Sequence, residues 1–473
     1  MASTAPTFSA TDIVRGASAL TVDSRSVSDG AIFVAMRGLH VDGHRFIDDA
    51  VTRGARTIVM EQPRELPPGV RAIVVADSAR ALAEIADAFY GSPAAALTLI
   101  GVTGTNGKTT TAHMIAAILN AAGTQTGIIG TLGAALLDYK TPLKNTTPLA
   151  DELHKTLADL RDRGARAVVL EVSSHALALN RVAGLRFAVA ALTNVTRDHL
   201  DFHGTFESYA SAKRTLFETC ERGIFNVDDD CGAAWSHTFE PERTVTYSLH
   251  GGADFVAEDI ALHAHGSRFF VDGTPFEIPL AGRFNVANAL AAIAVGRALN
   301  IDFATIAMAL RSISGVRGRM ETLEGQSLQV FIDYAHTPDA LSAALRSLRE
   351  LKPKRLTVVF GCGGDRDRGK RSEMGAIAAQ VADRIIVTSD NPRSEPPAAI
   401  AQAIVDGIGH GDHEVILDRR AAIERAIEGA SSGEMVLIAG KGHETSQTVG
   451  DRVLAFDDRQ VATDALRRRS ERR

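Results

Sequence analysis

The chain has 473 residues, of which 45% are hydrophobic and 23% charged, with a formal net charge of −6. Such a chain is too long for one core and predicts about three domains of an ordinary soluble globular protein, with no electrostatic case for a nucleic-acid partner. Three cysteines without metal-site spacing (Cys220, Cys231, Cys362), a start (Met1 to Pro6) unlike a signal peptide and no apolar run of bilayer-crossing length lead to the expectation of a cytoplasmic protein without disulfides or membrane insertion.

Residues 1–92 read as a small α/β unit. Val22 to Val27 and Ala31 to Ala35 are expected strands joined by Ser28-Asp29-Gly30. A loop from Gly38 to His44, a helix near 46–53, strands at Thr57 to Met60 and Ala72 to Val75, and a helix ending at Tyr90 follow. Asp23-Ser24-Arg25 has the plain reading of a strand-end turn. Gly91-Ser92-Pro93 marks a boundary.

Residues 93–317 form the expected central domain. Leu97 to Val102 is an apolar strand, Thr103 to Lys108 a glycine turn, and Ala112 to Leu119 a helical pattern. Strand, glycine turn, Lys-Thr and helix make a phosphate cradle, because backbone N–H groups and a helix N-terminus face the oxygens. Lys108 would reach the outer phosphates and the Thr109 hydroxyl would meet Mg²⁺. The strict spacing G-x-x-x-x-G-K-[ST] is broken by Val102, but the flanking elements and the three threonines after Lys108 favour nucleotide binding over an ordinary turn. Ala167 to Val172 and Phe187 to Asn194 read as buried parallel strands. Ligands in such sheets bind beyond the C-terminal strand ends, where Glu171, Ser173, Ser174, His175, Asn194, Asp198, His199, Asp201 and His203 fall. Glu171 is placed to hold Mg²⁺, the alternative being a salt-bridged strand terminus. His199 and His203 read equally as ligands or as satisfied loop histidines. Lys213 on its helix reads as a surface lysine. Asn285 and Asn288 share one face at a helix start, where capping is the default and contact with a nucleotide the alternative.

Residues 318–473 carry four strands, Gln329 to Asp333, Leu356 to Phe360, Arg384 to Thr388 and Met435 to Ala439, each running into a charged or glycine-rich loop. That predicts a doubly wound α/β domain with one crowded rim, suited to a small charged ligand. Arginines on the rim favour a carboxylate, which guanidinium binds bidentately. The basic run Arg467 to Arg473 reads as a solvated helix end.

Taken in order, Thr103 to Thr110, Glu171-Val172-Ser173-Ser174-His175, Thr196 to Asp201, Gly318-Arg319-Met320-Glu321, Asp333 to Pro338, Asp390-Asn391-Pro392-Arg393 and Gly440-Lys441-Gly442-His443-Glu444 resemble the Mur ligase family along essentially the whole chain. The resemblance implies three α/β domains: a small UDP-binding domain (1–92), a P-loop-type ATPase domain (93–317) and a Rossmann-like, doubly wound amino-acid-binding domain (318–473). It implies an ATP-dependent amide ligase that works through an acyl phosphate and adds meso-diaminopimelate to UDP-N-acetylmuramoyl-L-alanyl-D-glutamate. Val22, Ser24, Leu39, His40 and Val41 would hold the uridine diphosphate, and Asn145, Thr146, Thr147, Ser173 and Arg181 the muramoyl dipeptide. Gly104, Thr105, Asn106, Gly107, Lys108, Thr109 and Thr110 would bind ATP with Asn288, Arg319 and Asp333. Thr109, Glu171, His199 and a carbamylated Lys213 would serve Mg²⁺, which makes Lys108, Lys213, Glu171 and His199 the expected catalytic group. Arg366, Asp390, Asn391, Pro392, Arg393, Gly440 and Glu444 would receive diaminopimelate. Leu179 stands where relatives often place a polar substrate contact, and Phe284 replaces a histidine common in sister ligases. A monomer is expected. The rival readings are a lysine-adding or folylpolyglutamate synthase-like ligase and, in another class, a nucleotide-dependent switch. The Asp390–Arg393 run speaks against the sister ligases, and a second charged rim against the switch.

Overall fold

The computed structural model describes residues 9–38, 41–325 and 328–471. The chain divides into two units, Met1–Thr103 with Ala122–Ala191 and Ser211–Gly223, and Gly104–Ala121 with Leu192–Ala210 and Ile224–Arg473. No described helix is long and apolar enough to cross a membrane.

The first unit begins with a four-stranded parallel sheet, Leu20–Thr21, Ile32–Val34, Thr57–Met60 and Arg71–Val74 in that order. Alternation along the strands splits their side chains between two layers. Ile32, Val34 and Val59 pack with Leu82, Ile85 and Ala86 of the helix Ser78–Phe89, and Phe33, Ile58 and Met60 with Ile47 and Ala50 of the helix Ile47–Thr52. The expected strand over Val22 to Val27 is not formed. Ser24–Ser26 is a 3₁₀ turn, because the Asp23 carboxylate caps it by accepting from Arg25 N–H at 3.0 Å. Later in the same unit the strands run in the order Phe187–Leu192, Thr98–Thr103, Ala167–Glu171, Thr126–Gly130, Gly133–Leu136, Tyr139–Thr141. Thr98–Thr103, Ala167–Glu171 and Thr126–Gly130 are parallel, so their C-terminal ends share one edge.

In the second unit the helix Lys108–Ala121 is buried on most of its circumference and packs against Arg283–Ala298. A three-stranded antiparallel sheet follows, and then the six-stranded sheet of the C-terminal region. Its order is Glu321–Gly325, Leu328–Asp333, Met435–Ala439, Leu356–Phe360, Arg384–Val387, His413–Val415. All but the first strand run parallel. Leu356, Val358 and Phe360 face the helices Pro338–Glu350, Gly369–Val381 and Pro397–Ile408, whereas Val359, Val436 and Ile438 face Arg419–Glu428 and Asp458–Glu471. Helices on both faces make the domain doubly wound. The parallel order puts all four expected loops on one rim. The basic C-terminal helix end is less solvated than expected, since Arg468 pairs with Glu424 at 2.8 Å and Arg469 donates to the Ile427 carbonyl at 3.0 Å.

Candidate active site

The glycine turn is shaped from outside. Gly104 (φ 147°) and Gly107 (φ 86°) adopt backbone angles that side chains resist. A Cβ at Gly104 would strike Thr193 Oγ1, and one at Gly107 would strike Asn288 Oδ1. Asn194 holds the turn by both its backbone and its side chain. Its carbonyl accepts from Thr105 N–H at 2.8 Å and its Oδ1 from Asn106 N–H at 3.0 Å. Thr105 Oγ1 meets Tyr209 Oη at 2.8 Å and accepts from Thr196 N–H at 2.9 Å. Lys108 opens the helix and folds its Nζ back to the Gly104 and Thr105 carbonyls, at 2.8 and 2.9 Å. The ammonium therefore sits over the turn.

Asn285 and Asn288 do not cap their helix. Gly282 occupies the N-cap, Asn285 donates to the Ala281 carbonyl at 2.8 Å, and Asn288 Oδ1 accepts from Thr111 Oγ1 at 3.3 Å. Asn288 thus faces the glycine turn. Arg319 Nη2 donates to Thr109 Oγ1 at 3.2 Å, and its guanidinium lies 4.6 Å from the centre of the Tyr334 ring. Asp333 accepts from Met320 N–H at 2.6 Å and Ala335 N–H at 2.8 Å, and burial raises its pKa despite Arg319. The residues Gly104 to Thr110, Asn288, Arg319 and Asp333 are therefore neighbours in one unit, as a nucleotide site requires.

Asp198, His336 and His443 complete these surroundings. Burial works against ionisation of Asp198, but His199, His336 and Lys370 hold its carboxyl below the usual range. Burial and the Lys370 cation push His336 down. Burial, reinforced by Arg319, lowers His443 from 6.5 to about 4, and its buried Nδ1 has no hydrogen-bond partner among the described residues. The unfolded chain takes up this proton near pH 6.5 and the folded chain only near pH 4, so stability falls as pH drops through that window. The thermal midpoint is expected to decline from pH 6.5 to 4, and His443→Gln should flatten that decline. An unchanged slope would show that the cost lies elsewhere.

In the first unit, Glu171 is fully buried at its strand end. Its carboxylate accepts from Thr131 N–H and Thr131 Oγ1, both at 3.0 Å. Thr131 Oγ1 meets Thr146 Oγ1 at 3.1 Å. Thr147 Oγ1 donates to the Glu171 carbonyl at 2.8 Å and accepts from Ser173 N–H at 3.0 Å, while Arg181 Nη1 donates to the Thr147 carbonyl at 2.9 Å. Thr146, Thr147, Ser173 and Arg181 thus form one polar network around Glu171, with Asn145 exposed beside it. Lys213 is only 1% exposed, which departs from the surface lysine its helix pattern suggests. Thr109 and His199 belong to the second unit, Glu171 and Lys213 to the first. Among the described residues no group of three or more His, Cys, Asp or Glu side chains converges as a metal cage. Ser24 is buried, Val22 partly buried and Val41 exposed, while Leu39 and His40 lie outside the described residues.

On the C-terminal rim, Asn391 is the hub. Its Nδ2 donates to Glu444 Oε2 at 2.8 Å, and its Oδ1 accepts from Lys441 Nζ at 3.1 Å and Thr448 N–H at 2.9 Å. Burial opposes ionisation of Glu444, yet Lys441, at 2.9 Å, and Asn391 keep its pKa low. Burial raises Asp390. Gly440 passes so close that a Cβ would meet Asp390 Oδ2 at 2.5 Å. Arg393 Nη1 donates to the Gly364 carbonyl at 2.7 Å. Gly364 N–H in turn reaches the Asn391 carbonyl at 2.9 Å, tying the Arg366 loop to this group, with Arg366 itself exposed. Underneath, Arg419 and Asp458 form a fully buried bidentate pair at 2.8 and 2.7 Å, and Arg419 also donates to the Ala439 and Ser389 carbonyls at 3.0 and 3.3 Å. Neither this pair nor the supporting roles of Lys441, Thr131 and Asn194 emerges from sequence spacing. Asn194 alone carries a signal, its position at a strand end.

Comparison with known proteins agrees with this arrangement. Residues 17–90 match the family described as "Mur ligase family, catalytic domain", residues 102–296 "Mur ligase middle domain" and residues 318–442 "Mur ligase, glutamate ligase domain". The chain is 46% identical over 468 residues, 95% of each chain, to the UDP-N-acetylmuramoyl-L-alanyl-D-glutamate–2,6-diaminopimelate ligase of Geobacillus thermodenitrificans. It is 45% identical to the ligase of the same name from Gloeobacter violaceus, covering 96% of this chain and 94% of the other. A solved structure with that name superposes with a TM-score of 0.68 at 33% identity, over 96% of this chain and 95% of that one. MurF from Acinetobacter baumannii shares the fold, with a TM-score of 0.68 at 20% identity, over 97% of this chain and 98% of that one. Three matched segments in order, whole-length relatives and a nucleotide-type turn in the middle segment lead to one conclusion: the chain belongs to the Mur ligase family.

Proposed function

We propose that this protein is an ATP-dependent amide ligase that joins meso-diaminopimelate to the γ-carboxyl of the D-glutamate in UDP-N-acetylmuramoyl-L-alanyl-D-glutamate, in the cytoplasm and as a monomer. The observation that carries this reading is 46% identity over 95% of both chains to a ligase of that name. Residues 1–92 would take the uridine diphosphate through Val22, Ser24 and the loop from Leu39 to Val41. Residues 93–317 would take ATP and the muramoyl dipeptide, and residues 318–473 the amino acid.

The chemistry asks for charge control and positioning. The glutamate carboxylate attacks the γ-phosphorus, ADP leaves, and an acyl phosphate forms. The diaminopimelate amine then attacks the carbonyl, and phosphate leaves from the tetrahedral intermediate. Backbone N–H groups of Gly104 to Thr110, the Lys108 ammonium and Arg319 offset phosphate charge. Asn145, Thr146, Thr147, Ser173 and Arg181 orient the dipeptide carboxylate. Hydroxyl, carboxylate and carbamate oxygens suit a hard cation that keeps several waters and needs few protein ligands. Thr109 and His199 in one unit, and Glu171 and a carbamylated Lys213 in the other, are the residues that would serve Mg²⁺, which when bound neutralises charge on the transferring group.

Arg366, Asp390 to Arg393, Gly440 and Glu444 would receive diaminopimelate, with Glu444 facing an ammonium and Arg393 the distal carboxylate that lysine lacks. Arg393→Ala is therefore expected to raise the KM for diaminopimelate about 30- to 100-fold while the KM for ATP stays put. An undiminished preference for diaminopimelate over lysine would count against the assignment. The reading as a whole is tested by phosphate release from ATP with and without both acceptors, combined with a panel of amino acids and product mass. ATP hydrolysis that ignores the acceptors, with no new amide, would overturn it.

A further inference from the structure

The loop proposed to select the amino acid does not hold its own shape. Ser446–Val449 and Arg452–Ala455 form an antiparallel hairpin that grips it at four points. Gln447 Nε2 donates to the Asp390 carbonyl at 2.7 Å, and Thr448 N–H to Asn391 Oδ1 at 2.9 Å. Arg393 N–H donates to the Thr448 carbonyl at 3.1 Å, and Gly450 N–H to the Arg393 carbonyl at 2.7 Å. Arg393 has φ 51°, a left-handed conformation that a long side chain avoids on its own. Both of its backbone polar groups are captured by the hairpin, which supplies the constraint.

The side chain carries the same message. Among the described residues Arg393 uses only Nη1, on the Gly364 carbonyl. The edge formed by Nε and Nη2 stays open, and that edge takes a carboxylate bidentately. Its direction depends on the backbone at 393, hence on the register between loop and hairpin. Gln447 is the one side chain of the hairpin whose amide pins the loop, and it is only partly buried. The strand Arg452–Ala455 is exposed along its whole length, with Val453 at 70% and Leu454 at 49%, so the element is not itself a core layer.

We infer that the Ser446–Ala455 hairpin is a specificity-setting brace and that Gln447 is a positioning residue for Arg393. This rests on the proposed role of Arg393 toward the distal carboxylate of diaminopimelate. The test compares Gln447→Ala and the isosteric Gln447→Glu, which keeps the shape and loses the donor, with the wild-type protein. The KM for diaminopimelate should rise about tenfold, one hydrogen bond's worth, while kcat and the KM for ATP stay within about twofold. The kcat/KM for L-lysine, which has no distal carboxylate, should stay within about twofold, and the thermal midpoint within about 3 °C. In an Arg393→Ala background the Gln447 substitution should cost nothing further. An equal fractional loss for diaminopimelate and lysine, an unchanged KM, or a full additional loss in the Arg393→Ala background would each overturn the inference. If the wild-type protein makes no amide with diaminopimelate, the reading of the site itself fails. Wild-type amide formation with unaltered discrimination in both variants sinks only the role of Gln447.

Discussion

Replacing Lys108 by alanine is expected to cut amide formation by about 10³-fold while the thermal midpoint moves by only a few degrees. The fold should survive because Asn194, Thr193 and Tyr209 still hold the glycine turn when the two Lys108 Nζ bonds to it are lost. The activity should not, because the Lys108 ammonium lies on the Gly104 and Thr105 carbonyls of the turn proposed to cradle the phosphates. Those carbonyls are weaker partners than a triphosphate, so the side chain exchanges neutral acceptors for charged ones when the nucleotide arrives. Phosphate release measured over saturating ATP separates loss of turnover from loss of binding. A Lys108→Ala protein within about tenfold of wild type would remove this turn from the chemistry.

Asp458→Ala is expected to destabilise the protein by about 3–5 kcal/mol, a large loss for a single substitution. Both members of the Arg419–Asp458 pair have no exposed side-chain surface. Removing the carboxylate leaves a buried guanidinium whose remaining hydrogen-bond partners among the described residues are the neutral carbonyls of Ala439 and Ser389, with only the longer-range charges of Asp390 and Glu444 to offset it. Those carbonyls begin two of the rim loops, so local order there should fall with stability. Replacing both partners at once, Arg419→Met with Asp458→Leu, removes the stranded charge and should cost far less. Denaturant unfolding distinguishes the cases. A cost below about 1 kcal/mol for Asp458→Ala would mean that water reaches the pair.

Much of this architecture is legible in the amino-acid sequence. Apolar runs such as residues 167–170 and Met435–Ala439 have no polar face, and parallel strands covered by helices on both sides are the arrangement that buries them. The glycine turn and the four rim loops are equally legible, because glycine and charge at strand ends are local signals. What stays hidden depends on competition between neighbours or on residues far apart in sequence. For Asp23 a strand and a strand-end turn are both legible, and the turn forms because its carboxylate finds Arg25 N–H before any ladder partner. Asn285 and Asn288 read as caps, and only the approach of Gly107 gives Asn288 its place. Arg419 and Asp458 lie on separate helices, 39 residues apart, and no local pattern pairs them until the fold removes water from both.

The strand order of the C-terminal sheet also has a consequence for how the protein is made. Met435–Ala439 lies between Leu328–Asp333 and Leu356–Phe360, yet it is synthesised after both. Until it emerges, on the order of ten seconds later at ordinary translation rates, two apolar strands expose facing edges with nothing between them. Newborn chains, and any product ending before Met435, therefore pass through a sticky interval that the finished protein does not have.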